Sequence, residues 1–111
     1  MIVSIIGLGY IGLPTAAVLA SKDIKVVGVD VSQYVVDTIN QGKIHIIEPG
    51  LDALVREAVQ KNHLKAVINP EKADVFMIAV PTPFKGNHEP DLLHIRLAAK
   101  AIAPVLEKGN L

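Results

Sequence analysis

The sequence predicts an α/β fold, a doubly wound parallel sheet of four strands in the order 3-2-1-4 with helices on both faces. Three observations carry the prediction. Runs rich in β-branched residues recur at Ile2–Ile6, Lys25–Val29, 64–68 and 75–80, the composition of strands buried on both faces. Segments of helical periodicity separate them, and strands alternating with helices close into a parallel sheet through right-handed crossovers. A glycine-rich hexapeptide, Gly7-Leu8-Gly9-Tyr10-Ile11-Gly12, stands between the first strand and the first helix, where a Rossmann-type fold turns.

Each element has its own signal. Residues 1–20 carry no charged side chain, a length that would also suit a membrane span or signal peptide. No Lys or Arg precedes the stretch, Gly7, Gly9, Gly12 and Pro14 interrupt it, and its β-branched residues cluster at the start. A strand, a turn and a helix to about Ser21 account for it better. Ser32 is placed to cap a second helix whose apolar face is Val35, Val36 and Ile39, with Gly42 as its stop. Leu51, Leu54, Val55, Ala58 and Val59 share one face of a third, and Glu57 and Lys61 are spaced to pair on its exposed side. Pro81 and Pro83 forbid a helix directly after the fourth strand. A last helix is expected from a cap at Asp91 to about Lys108, broken or kinked at Pro104.

Half of the 111 residues are hydrophobic and a fifth are charged, so the chain is expected to fold around a core. Eleven basic side chains balance eleven acidic ones, with no block of one sign, which gives no electrostatic case for nucleic acid or an anionic membrane. Cysteine is absent, which excludes disulfides and thiolate chemistry within the chain and fits a reducing, cytoplasmic setting. His45, His63, His88 and His94 fall at no metal-ligand spacing. The cluster His88, Glu89, Asp91 and His94 reads more simply as a capped loop than as a metal site, so no metal is expected.

The hexapeptide carries the chemistry. Gly7 makes a tight turn, Gly9 lets backbone approach a pyrophosphate, and Gly12 lets the helix pack closely on the sheet. Amides at the helix start, at its positive end, then hold phosphate. Such a hexapeptide also arises by chance, and Asp30 is what strengthens it. It stands eighteen residues beyond Gly12, at the end of the second strand, where a carboxylate accepts the adenosine ribose hydroxyls. The bland alternative is an Asp capping the next helix, a role open to Ser32. A carboxylate there repels a 2′-phosphate, so the expected cofactor is NAD and not NADP.

With these residues placed, the sequence resembles the UDP-glucose/GDP-mannose dehydrogenase family along essentially its whole length. The resemblance rests on Gly7 to Pro14, Gly28-Val29-Asp30, Glu48-Pro49-Gly50-Leu51 and Val80-Pro81-Thr82-Pro83. Asp37-Thr38-Ile39-Asn40, Ile44-His45-Ile46, Pro83-Phe84-Lys85-Gly86 and His88-Glu89-Pro90-Asp91 are most similar to the branch that oxidises UDP-N-acetyl-D-mannosamine. The resemblance implies oxidation of a UDP-sugar C6 alcohol to a carboxylate, with two NAD reduced. It implies cofactor contacts at Tyr10, Ile11, Asp30 and Thr82, beside Gly7, Gly9 and Gly12. Thr82 lies between two prolines that hold it extended, although a plain turn residue would look the same.

The sequence departs from the family at the nucleophile. The family's cysteine, which forms a thiohemiacetal and then a thioester, has no counterpart, and neither do its lysine and sugar-binding segments. No catalytic residue is therefore expected within the chain. Residues 1–111 read as one NAD-binding domain, a truncated amino-terminal fragment inactive alone, in which Gly109 would release the last helix toward a fifth strand. The outer edge of the 75–80 strand is expected to stand unpaired, and a homo-oligomer is expected. Two rivals remain: the same domain of a UDP-glucose or other UDP-hexose dehydrogenase, and a stand-alone nucleotide-binding or regulatory module.

Overall fold

A computed structural model describes residues 1–81 and 92–111. The elements run β1 (Ile2–Ile6), α1 (Gly12–Ser21), β2 (Lys25–Val29), α2 (Gln33–Asn40), α3 (Leu51–Gln60), β3 (Leu64–Val67), β4 (Val75–Ile78) and α4 (Leu93–Ile102). A 3₁₀ turn, Ala103–Val105, follows α4. The four strands form one parallel sheet in the order β3-β2-β1-β4. This is the expected fold, and residues 1–20 are β1, the glycine turn and α1. Among the described residues no helix is long and apolar enough to cross a membrane.

The period of two along each strand divides the core. Val3, Ile5, Val26, Leu64 and Ala66 face one layer, packed under α1, α2 and α3 through Ala16, Ala17, Ile39 and Val55. Ile6, Val27 and Val29 face the other layer, against Ala98 and Ile102 of α4. The three helices of the first layer end alike. At Asp23, Gly42 and Asn62 the backbone turns left-handed (φ 64°, 75° and 59°), and the next amide reaches back into the last helical turn. Lys43 N–H donates to the Thr38 carbonyl at 3.1 Å and His63 N–H to Ala58 at 2.9 Å. Gly42 is thus the stop that the sequence suggested, while Asp23 and Asn62 fill the same role with side chains.

Four details differ from the sequence reading. β4 stops at Ile78 and not at Val80, because its partner β1 turns away at Gly7; the Ala79 amide makes the last bond, to the Ile6 carbonyl. β3 stops at Val67, opposite Val29, where β2 itself ends. The last α-helix ends at Ile102 and not near Lys108, since Pro104 has no amide to continue it. The outer edge of β4 is not wholly unpaired: Leu111 accepts from Phe76 N–H at 2.7 Å and donates to the Asp74 carbonyl at 3.1 Å. The expected cap, Asp91, lies outside the described residues, and Leu92 stands at the N-cap position of α4.

Candidate functional site at the carboxyl ends of the strands

The three strands β2, β1 and β4 end side by side, and the glycine loop crosses above them. Gly7 leaves β1 with φ +100°, its amide bonded to the Val29 carbonyl at 2.8 Å. A side chain there would come within 2.7 Å of the Ala79 carbonyl oxygen. At Gly12 a Cβ would fall on the Gly7 carbonyl oxygen. Both positions therefore exclude side chains because backbone already occupies the space. Gly9 is different: a Cβ there would meet no protein atom within 4 Å, so its open face is available to a ligand.

Leu13 N–H donates to the Gly9 carbonyl at 3.1 Å as α1 begins. Among the described residues, the amides of Gly9, Tyr10, Ile11 and Gly12 have no protein acceptor. Four donors at the positive end of a helix are the equipment of an anion cradle. The Tyr10 and Ile11 side chains are exposed, so these residues present backbone to the site and side chains to solvent.

Asp30 follows β2 directly. Its carboxylate accepts from Leu8 N–H at 3.1 Å through one oxygen and from Ser32 N–H at 2.9 Å through the other. Each oxygen keeps acceptor capacity for a further donor. Capping of α2 falls to Ser32, whose hydroxyl accepts from Val35 N–H at 3.4 Å, so Asp30 is free of that duty. Its side chain instead ties the glycine loop to the end of β2.

A cavity of about 300 Å³ opens beside this junction, lined by Gly7, Asp30, Val31, Asn69, Pro81 and Leu97 among others. Val31 is 94% exposed and Leu97 54%, apolar surface facing the space next to the carboxylate. That combination suits a flat aromatic group joined to a sugar. Two other depressions lack it. One, of about 520 Å³, is a shallow surface over Tyr34 and the 44–50 loop. Another, of about 290 Å³, lies at the opposite ends of the strands among Lys25, Glu71 and Lys72. Size alone would select the wrong place; the cavity at Asp30 adjoins the glycine loop through Gly7.

Of the residues singled out in the sequence, the structure brings together Gly7, Gly9, Tyr10, Ile11, Gly12 and Asp30. Thr82 lies outside the described residues, as do His88, Glu89 and Asp91. Among the described residues no group of three His, Asp or Glu is placed to hold a metal ion. Sequence reasoning missed three residues lining the cavity, the apolar Val31 and Leu97 and the polar Asn69. Val31 carried a usable signal, an apolar residue directly after Asp30, whereas Leu97 reads only as another helix residue.

Comparison with known proteins agrees with this geometry. The chain is 66% identical over 110 residues to the UDP-N-acetyl-D-mannosamine dehydrogenase of Campylobacter jejuni, covering 98% of this chain and 27% of the relative. It is 62% identical over 109 residues to the NDP-N-acetyl-D-galactosaminuronic acid dehydrogenase of Ralstonia nicotianae, covering 98% and 26%. The solved UDP-N-acetyl-mannosamine dehydrogenase of Staphylococcus aureus superposes with a TM-score of 0.96 at 40% identity, over 99% of this chain and 27% of that one. The chain thus spans about a quarter of the length of the relatives it matches. The model of the NAD-binding domain of the UDP-glucose/GDP-mannose dehydrogenase family matches residues 1–111, and the chain belongs to that family.

Proposed function

We propose that residues 1–111 form the cofactor half of a longer UDP-N-acetyl-D-mannosamine 6-dehydrogenase. The whole enzyme would oxidise the C6 alcohol of the sugar to a carboxylate in two steps, each delivering a hydride to one NAD. The observation that carries the reading is the junction of Asp30 with the glycine loop beside an apolar cavity. There the free amides at Gly9 to Gly12 would hold the pyrophosphate, Asp30 the adenosine ribose, and Val31 and Leu97 the base. Thr82 is assigned to the later part of the cofactor on family resemblance alone.

The chain has no cysteine, so a thioester route to the acid needs a nucleophile from another part of the enzyme. This chain's residues bind and orient the hydride acceptor, and we assign them no bond-making step. The chain alone is accordingly inactive. A cytoplasmic homo-oligomer supplying uronic acids for polysaccharide synthesis, with no nucleic-acid or membrane partner, completes the proposal. The Ralstonia relative favours a second reading, a different N-acetylated hexosamine nucleotide as substrate.

An absorbance assay for NADH tests both readings, with UDP-N-acetylmannosamine and UDP-N-acetylgalactosamine as substrates. The expected result is no turnover by this chain and turnover of the mannosamine nucleotide by the longer protein. Preference for the galactosamine nucleotide would shift the assignment to the second reading. Turnover by the 111 residues alone would overturn the division of labour.

A further inference from the structure

Leu8 is out of character with its loop. Its neighbours Tyr10 and Ile11 are 70% and 72% exposed, yet Leu8 is completely buried. The reason lies on the adjacent strand. A Cβ built on Gly28 would stand 2.7 and 2.8 Å from the two terminal methyl carbons of Leu8. The Leu8 side chain therefore occupies the place that a side chain at position 28 would take. Three successive residues of β2 and its end hold the loop: Gly28 receives the Leu8 methyls, the Val29 carbonyl accepts Gly7 N–H, and Asp30 accepts Leu8 N–H.

The covalent length between a ribose and its pyrophosphate is fixed, so a carboxylate and an anion cradle serve one cofactor only at a matching separation. Nothing in the glycine motif sets that separation. We infer that the Leu8–Gly28 contact sets it, making Leu8 and Gly28 positioning residues for dinucleotide binding. They touch no cofactor atom and act through the placement of the loop above Asp30. The inference rests on the proposed cofactor site and deepens it.

Close packing makes the contact sensitive to one carbon. Gly28→Ala forces the buried Leu8 to move, and the loop moves with it. Leu8→Val shortens the intruding side chain and should relieve the clash in the double variant. The test titrates NAD by calorimetry and adenosine by NMR into the protein and its variants. Adenosine engages Asp30 and the cavity without the phosphate cradle, so it separates loop placement from general damage.

The expected result for Gly28→Ala is NAD binding weaker by about tenfold, equivalent to about 1.4 kcal/mol. Adenosine binding should stay within about twofold, and Gly28→Ala with Leu8→Val should regain most of the NAD affinity. Unchanged NAD affinity in Gly28→Ala, equal losses for NAD and adenosine, or no rescue in the double variant would overturn the inference. If Gly28→Ala does not fold, Leu8→Ala is read in the same way, and unchanged NAD affinity there would also overturn it. A wild-type protein that fails to bind NAD would instead defeat the proposed function itself.

Discussion

A single carboxylate connects the two halves of the site, and its bonds explain what its loss should do. Asp30 accepts the Leu8 and Ser32 amides, so it orders the loop and the start of α2 besides the ribose contact proposed for it. Asp30→Ala should weaken NAD binding by about 1.5–3 kcal/mol, the scale of one charged hydrogen bond, measured by titration calorimetry. Gly9→Val acts differently. A Cβ at position 9 meets no protein atom within 4 Å, so the fold should survive while the space for the pyrophosphate is filled. We expect NAD binding to be abolished with little change in melting temperature; normal binding would show the phosphate loop to be misplaced. The glycine turn and the place of Asp30 at the end of β2 were legible in the sequence, because few residues satisfy a tight turn and the β-branched run stops at Val29. Leu8 was not, since an apolar loop residue gives no hint of the strand glycine beneath it.

The elements were legible to the extent that their signals were local. Periodicity located all four strands and the helices, and Ser32 and Gly42 marked the ends of α2 correctly. The errors at β3 and β4 have one origin: a strand ends where its neighbour turns away, and no run of Val and Ile records that. Asn40 is a further case. Its side-chain amide donates to the Ala66 carbonyl at 2.9 Å and accepts Ala66 N–H at 2.8 Å, standing in for a neighbouring strand on β3. Nothing local distinguishes it from any other Asn at a helix end.

Gly42→Ala should lower stability by about 1–2 kcal/mol in chemical denaturation, because alanine pays the left-handed backbone penalty at φ 75°. On α3, the hydrogen bond and charge of Lys61 hold the Glu57 carboxyl below its ordinary pKa, and Glu57 raises that of Lys61 in return. The Glu57 contribution is complete above the ordinary carboxylate pKa and fades as pH falls through the lowered one. The Lys61 contribution is complete below the ordinary lysine pKa and fades as pH rises through the raised one. Both are therefore in force at neutral pH. Both groups are exposed, so Glu57→Gln should barely move the melting temperature at neutral pH in moderate salt.

At the scale of the whole molecule, the two faces of the sheet are unequally covered. Among the described residues three helices close one face and α4 covers the other, leaving the cavity at Asp30 between α4 and the strand ends. The fold thus builds its rigid layer under the glycine loop and its open layer where a base and sugar would enter. Affinity for NAD over NADP is expected from this arrangement, since the Asp30 carboxylate at the junction would face a 2′-phosphate. The direct test is parallel calorimetric titration of the protein with NAD and NADP. Saturable binding of one NAD is expected, with NADP weaker by about tenfold or more, as for a like-charge clash of at least about 1.4 kcal/mol. Equal affinities, or no binding of NAD, would contradict it.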